Sequence, residues 1–214
     1  MNEGVNEMTT FDFGNGPVPA HKHPNGGGWV ADTASVFENA YVGPGARVSD
    51  YAKVFDNARV SDNARVSGYA RVFGNVRLFG DVRVFGNARV SGNVWVSGNV
   101  GVSDNAVVSG HAVVTGNAWV YDYAQVSDNA YVYGDADVNG NAVVSGNARV
   151  FDNAWVSGNA RVYGDTWVFG NVRVSDYAQV SGNAVVSGNA VVSGNAQVSD
   201  NARLTGNARV SDNG

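Results

Sequence analysis

Three histidines, His21, His23 and His111, are the side chains in this 214-residue sequence best suited to act as general bases or to bind a metal ion. The His21-x-His23 pair could chelate a metal through two imidazoles. Two such ligands make a weak site when neither a carboxylate nor a third histidine is fixed beside them. Cysteine is absent, so thiolate metal sites and disulfides are excluded. We therefore expect no catalytic residue, no metal site and no cofactor, and we interpret His111 as a turn residue.

Basic side chains offer a second kind of chemistry, the binding of anions. Of the 14 lysines and arginines, 13 stand directly before a valine or leucine. Guanidinium groups bind phosphates and carboxylates, and phenylalanines interleaved with them could stack on bases or sugars. Eight of these basic residues follow one another at six-residue spacing and form what we call the basic collar: Arg47, Lys53, Arg59, Arg65, Arg71, Arg77, Arg83 and Arg89.

Aromatic side chains concentrate further along the chain and offer a recognition surface. Exposed aromatic residues in register commonly bind a glycan or another protein. The alternative is that they only stiffen a sheet by pairing across strands. This set, which we call the aromatic shelf, includes the polar residues between the rings: Trp119, Tyr121, Tyr131, Tyr133, Asp137, Asn139, Arg149, Phe151, Trp155, Trp167 and Phe169.

A six-residue repeat must position both sets. Valine or leucine stands at every sixth position from Val30 to Val210, which makes 31 positions without an insertion. Alanine usually stands two residues earlier, and this alternation predicts a short strand with alanine and valine inside. Glycine or aspartate and then asparagine follow, and both corner residues tolerate the left-handed backbone of a sharp turn. Strands this short must stack on copies of themselves, about 4.8 Å apart.

The repeated Val-Ser-Gly-Asn-Ala-Arg unit resembles the hexapeptide repeat of left-handed parallel β-helix proteins, which include many acyltransferases and the gamma-class carbonic anhydrases. The resemblance implies an all-β triangular solenoid with about 18 residues per coil and about ten coils. The leader GPVPAHKHPNGGGWVADTA also resembles that of uncharacterised bacterial and phage hexapeptide proteins. Enzymes of this family use a histidine base, or three histidines on a metal, between subunits. With so few histidines, the resemblance implies a member without those sites.

An 18-residue coil stacks the basic collar into three vertical ladders: Arg47-Arg65-Arg83, Lys53-Arg71-Arg89 and Arg59-Arg77. Because these ladders point to three faces, we expect a collar rather than a single groove. The predicted corners hold 15 of the 19 acidic residues, so we expect the corner carboxylates to neutralise the ladders, unless an anionic partner does so. A smooth prism also offers no deep concavity, which argues against an enzyme.

The domain prediction is a leader over residues 1–28 that caps the coil, followed by a solenoid over residues 29–214. The sequence stops within a hexad, so we expect an open sheet edge that favours end-to-end stacking. The predicted function is a non-catalytic scaffold that binds a protein or glycan through its faces and self-associates. A ligand-binding module for a glycan or nucleotide-like anion, and an acyltransferase using His111, are the alternatives. Net charge is −5, which disfavours nucleic-acid binding. The sequence shows no signal peptide or membrane span, and it leaves the compartment open, with the cytoplasm slightly favoured.

Overall fold

The computed structural model describes residues 9–212, and all regular structure in that range is β-strand. The strands form three sheets of 13, 10 and 10 strands around one core. From β3 onward, each strand pairs in parallel with the strand one coil later, for example Arg47 with Arg65 and Val48 with Val66. The predicted all-β parallel solenoid of about ten coils is confirmed, and no helix in residues 9–212 could cross a membrane.

The first face is the sheet that begins with the N-terminal hairpin. Its strands, in spatial order, are β1 (Thr10–Asp12), β2 (Pro17–Lys22), β3 (Trp29–Ala31), β6 (Arg47–Val48), β9 (Arg65–Val66), β12 (Arg83–Val84), β15 (Gly101–Val102), β18 (Trp119–Val120), β21 (Asp137–Val138), β24 (Trp155–Val156), β27 (Arg173–Val174), β30 (Val191–Gly194) and β33 (Arg209–Asp212).

The second and third faces have ten strands each. The second face comprises β4 (Ser35–Val36), β7 (Lys53–Val54), β10 (Arg71–Gly74), β13 (Arg89–Gly92), β16 (Val107–Val108), β19 (Gln125–Val126), β22 (Val143–Val144), β25 (Arg161–Val162), β28 (Gln179–Val180) and β31 (Gln197–Val198). The third comprises β5 (Tyr41–Val42), β8 (Arg59–Val60), β11 (Arg77–Gly80), β14 (Trp95–Gly98), β17 (Val113–Val114), β20 (Tyr131–Val132), β23 (Arg149–Val150), β26 (Trp167–Val168), β29 (Val185–Val186) and β32 (Arg203–Leu204).

The core consists of the repeated alanine and valine positions, as the alternation predicts. Ala124 and Val126 are fully buried, whereas Gln125 between them is exposed. Alanine fills the narrow space beside each corner, and branched valine fills the flat sheet, where β-branched side chains pack well. Thr166 replaces one alanine, and its hydroxyl oxygen lacks a hydrogen-bond partner among the described residues.

The two residues of each corner have different structural roles. Among the described corners, only the first residue, glycine or aspartate, has a positive φ, for example 57° at Asp50 and 67° at Gly68. Asparagine tolerates the left-handed backbone, but no described corner asparagine adopts it. The asparagines instead form amide ladders between coils, as in Asn75 Nδ2 donating to Asn93 Oδ1 at 2.8 Å. Each amide can donate upward and accept from below, so the ladder satisfies both groups.

The N-terminal hairpin adds two antiparallel strands to the edge of the first face, where β2 pairs with β3. The loop after β2 covers the neighbouring edge on the third face. His23 Nε2 lies 3.0 Å from the carbonyl oxygen of Ala40, and the Val42 backbone N–H donates to the Asn25 carbonyl oxygen. The leader segment from residue 9 onward thus covers edge groups on two faces. Residues 1–8 of the predicted leader, and residues 213–214, lie outside the described residues.

Candidate functional site

The register stacks the basic collar as the three predicted ladders. Arg65 lies between Arg47 and Arg83 on the first face. Arg71 lies between Lys53 and Arg89 on the second face, and Arg77 lies beside Arg59 on the third. Successive cations are therefore about one strand spacing apart, roughly 4.8 Å at the backbone.

Within residues 9–212, no ion pair joins these ladders to corner carboxylates such as Asp50 and Asp56. They accept hydrogen bonds from the backbone of the next coil, as when Asp50 Oδ2 accepts from Gly68 N at 2.8 Å and Asp56 Oδ2 from Gly74 N at 3.0 Å. The reason is geometric, because a side chain leaving a left-handed corner lies over the corner of the adjacent coil. The corner aspartates therefore hold coil to coil.

Aromatic rings contact some of the arginines instead. The Arg47 guanidinium lies 5.1 Å from the centre of the Phe11 ring, and Arg77 lies 5.7 Å from that of Trp95. Such cation–π contacts orient the cation and leave its N–H groups available. Arg65 and Arg83 differ, because their side chains form no hydrogen bond, ion pair or ring contact within residues 9–212.

A groove lies where the N-terminal hairpin overhangs the first face. Its volume is about 590 Å³. One side is formed by the hairpin and the other by the ladder Arg47-Arg65-Arg83, with Ser49, Ser67 and Phe85 on the same outer surface. The expectation of a smooth prism without a concavity is thus wrong at this position. The leader, which lies outside the repeat, creates the concavity and sets one ladder of the collar apart from the other two.

Two carboxylates also line this groove, and both are held by other partners. Asp50 accepts the Gly68 N–H at the corner. Asp32 Oδ1 lies 2.8 Å from His21 Nδ1, and both side chains are about half exposed. Within residues 9–212, neither carboxylate forms an ion pair with an arginine of the ladder, so the ladder keeps a cationic surface in the groove.

The third face carries the longer part of the aromatic shelf as two parallel columns. Tyr133, Phe151 and Phe169 stack ring on ring, with centroids 4.6 and 4.8 Å apart and planes within 4° of parallel. In the adjacent column, the Arg149 guanidinium lies 5.7 Å from the Tyr131 ring centre and 4.8 Å from that of Trp167. The columns form a flat surface that is apolar on one side and cationic along the other.

The first face carries the second part of the shelf, with an acid between two tryptophans. Trp119 and Trp155 flank Asp137 on adjacent strands, and each ring is 40% exposed. Asn139 Nδ2 donates to Asp137 Oδ1 at 2.6 Å, and the Tyr121 hydroxyl donates to Asp137 Oδ2 at 3.5 Å. Both carboxylate oxygens are thus engaged from within the face.

Two tyrosines of the shelf titrate above the ordinary tyrosine range. Partial burial raises the pKa of Tyr121, and the charge of Asp137 raises it further. Burial also raises the pKa of Tyr133, against the opposing effect of the Arg149 cation. Both hydroxyls therefore stay protonated at neutral pH, and that of Tyr121 donates to Asp137.

The three histidines lie in three different surroundings. His23 is buried against the first coil, and His111 is an exposed corner residue in the column of corner asparagines. A carboxylate that sequence inspection missed, Asp32, does lie beside His21. His23 is bonded to the Ala40 carbonyl oxygen, and no cluster of three metal-ligating side chains is found in residues 9–212.

Comparison with known families agrees with this architecture. The YdcK beta solenoid repeat matches residues 52–68, 58–72, 82–98, 142–158, 154–170, 178–194 and 196–212. These matches place YdcK-type β-solenoid repeats along much of the chain, which is a parallel β-helix protein. One solved structure similar to this β-helix protein is an Arabidopsis UDP-N-acetylglucosamine acyltransferase, at 17% identity and a TM-score of 0.49, over 83% of this chain and 71% of that chain. No curated protein sequence matches this β-helix protein.

Sequence inspection missed the aromatic contacts around the groove of this β-helix protein. Phe11 stacks on Trp29 with ring centres 4.5 Å apart, and Phe13 packs edge-on against Phe11. On the other side, Lys22 Nζ lies 4.3 Å from the Trp29 ring centre. The signal in the sequence was the alternation of Phe11, Asp12 and Phe13, which is typical of a strand with one apolar side.

Proposed function

We propose that this protein is a non-catalytic β-solenoid scaffold that self-associates through the aromatic surface of its third face. The observation that carries the proposal is the pair of columns Tyr133-Phe151-Phe169 and Tyr131-Arg149-Trp167. Tyr131 and Trp167 are 43% and 42% exposed on a sheet whose backbone is fixed on both sides. A rigid, flat and partly apolar surface binds with little loss of conformational entropy.

The distribution of charge favours a second copy of this chain as the occupant. The faces carry the arginines and the aromatic rings, whereas acidic residues stand at the corners, such as Asp128, Asp152 and Asp176. A cationic, aromatic face on one copy is thus complementary to an acidic edge on another. Complementary charges steer and orient an encounter, and the buried rings supply most of the affinity.

The positions of the histidines support the non-catalytic part of the proposal. His23 packs against the first coil, His21 pairs with Asp32, and His111 stands alone at an exposed corner. An acyltransferase base would need an acceptor pocket beside it. Acetyl-CoA-dependent turnover that His111→Ala abolishes would contradict this part of the proposal.

Light scattering on size-separated protein tests the self-association. The double variant Phe151→Ser with Trp167→Val uses residues that the repeat already places in the same columns, at Ser187 and Val185, so the fold is kept. We expect an oligomer for the parent chain and a monomer for the variant. The control Phe55→Ser removes a stacked ring from the second face and should leave the oligomer intact.

A strictly monomeric parent chain overturns the proposal, and so does an unchanged mass for the double variant. Loss of the oligomer in the Phe55→Ser control would indicate that the contact between copies lies on another face. An oligomer unaffected by either change would mean that the third-face aromatic surface serves a different protein or a glycan.

A further inference from the structure

We propose that the groove between the N-terminal hairpin and the first face is a binding site for a small phosphorylated ligand. Such a ligand would carry two or three phosphoryl groups and a planar ring. The inference is independent of the self-association proposed above, because the groove lies on a different face from the third-face aromatic surface. It rests on four features of the groove: its cations, its rings, its enclosure and its size.

The cations are arranged for a short linear anion. Arg47, Arg65 and Arg83 occupy adjacent strands, so the row is two strand spacings long, about 10 Å. Arg guanidinium groups present planar forks of N–H donors that match phosphate oxygens. The side chains of Arg65 and Arg83 donate no hydrogen bond to a partner within the described chain. Stacked like charges cost free energy, and a bound polyanion removes that cost.

The row has defined ends, which limits the ligand to a small molecule. The next outward residue beyond Arg83 on the first face is Gly101. The Trp119 ring covers Gly101 so closely that a β-carbon added to this glycine would lie 2.5 Å from the ring. At the other end, the hairpin closes the groove and Arg47 is held against Phe11. A groove of about 590 Å³ lies within the range of small-molecule sites.

The aromatic rings would hold the non-phosphate part of the ligand. Phe13 lines the groove from the hairpin, and Phe85 lines it from the position directly after β12, the strand that carries Arg83. Phenyl rings stack on planar heterocycles. Ser49 and Ser67 also line the groove, and their hydroxyls can donate to phosphate oxygens.

Calorimetric titration of the full chain at low ionic strength tests the site, with three probes: adenosine triphosphate, inorganic triphosphate and adenosine. We expect adenosine triphosphate to bind most tightly, inorganic triphosphate more weakly and adenosine not measurably. Glutamine occupies the arginine position at Gln125, Gln179 and Gln197, so Arg65→Gln with Arg83→Gln keeps the fold. This double variant should lose affinity for both phosphorylated probes by at least about tenfold, the effect of one charged hydrogen bond.

Two further variants separate the site from general charge and from stacking. Arg161→Gln removes one exposed arginine from the second face, outside the groove, and should leave all affinities unchanged. Phe85→Ser restores the serine found at Ser67 and Ser103 in the same column. This variant should bind adenosine triphosphate severalfold more weakly and should bind inorganic triphosphate with unchanged affinity.

Three results would overturn the proposal. The first is no binding of either phosphorylated probe. The second is equal losses in Arg161→Gln and in the arginine double variant, which would show unspecific attraction to a basic protein. The third is equal affinity for adenosine triphosphate and inorganic triphosphate, which would show that the groove does not recognise a planar ring on the ligand.

Discussion

The coils near residues 47–89 and those near residues 179–198 share one backbone and one core but differ on the outside. Ala46 and Val48 in the first region, and Ala178 and Val180 in the second, are all fully buried. Outside, the first region stacks arginine on arginine beside a hairpin, and the second presents glutamine, valine and serine. The later coils show that the fold needs no outward charge, so the ladders of the earlier coils are not explained by folding.

The largest expected effect concerns the core, which both regions share. Val126→Asp places a carboxylate where the side chain is fully buried. Burying an unpaired charge should destabilise the protein by at least about 3 kcal/mol. Chemical denaturation followed by circular dichroism measures the loss. Gln125→Asp, one residue away on the outside, is the matched control and should change stability by less than about 0.5 kcal/mol. Equal effects of the two changes would refute the inside and outside assignment.

A smaller effect is expected at the corners, where glycine or aspartate takes a positive φ. Gly140 has φ 66°, and a β-carbon there would lie 2.9 Å from the Gly158 backbone. Gly140→Val should cost about 2 kcal/mol, because a branched side chain is strained in the left-handed region. Gly140→Asp should cost under about 1 kcal/mol, because a short polar side chain tolerates that region. Asp122, which lies directly over Asp104, is a native example of an aspartate in this crowded, left-handed corner position. Thermal melting of both variants separates backbone strain from simple crowding, and equal losses would contradict the strain.

The difference between the two regions themselves should appear as a salt-dependent effect. Arg65→Gln relieves repulsion from Arg47 and Arg83 and should stabilise the protein by about 0.5 kcal/mol at low ionic strength. The gain should vanish in about 1 M salt, where charges are screened beyond about 3 Å. Arg161 has Val143 and Gln179 as neighbours, so Arg161→Gln should give no gain. A gain of equal size in both variants would mean that the ladder is not under strain from like charges.

The smallest effect contrasts the two parts of the aromatic shelf. Asp137→Asn should lower the pKa of Tyr121, because the Asp137 charge helps to raise it. The pKa of Tyr133 should stay unchanged, since burial, Arg149 and Asp152 control it. Because a raised pKa favours the folded state below the ordinary tyrosine range, this contribution is lost as pH rises through the raised value. Spectrophotometric titration of the two tyrosines checks both statements. A Tyr121 pKa that does not move would remove Asp137 as a cause.

The sequence by itself determined the solenoid, its inside and outside, and the vertical neighbours of every outward residue. The reason is that one fixed period sets the register of the whole stack, so that Arg65 must lie between Arg47 and Arg83. Only the tertiary structure decided where the leader lies, because Phe11, Phe13 and His23 belong to no repeat. Their partners, Trp29 and the Ala40 carbonyl oxygen, come from coils that the period cannot relate to them. The groove exists because of these contacts, and it turns one ladder of a predicted collar into a candidate site.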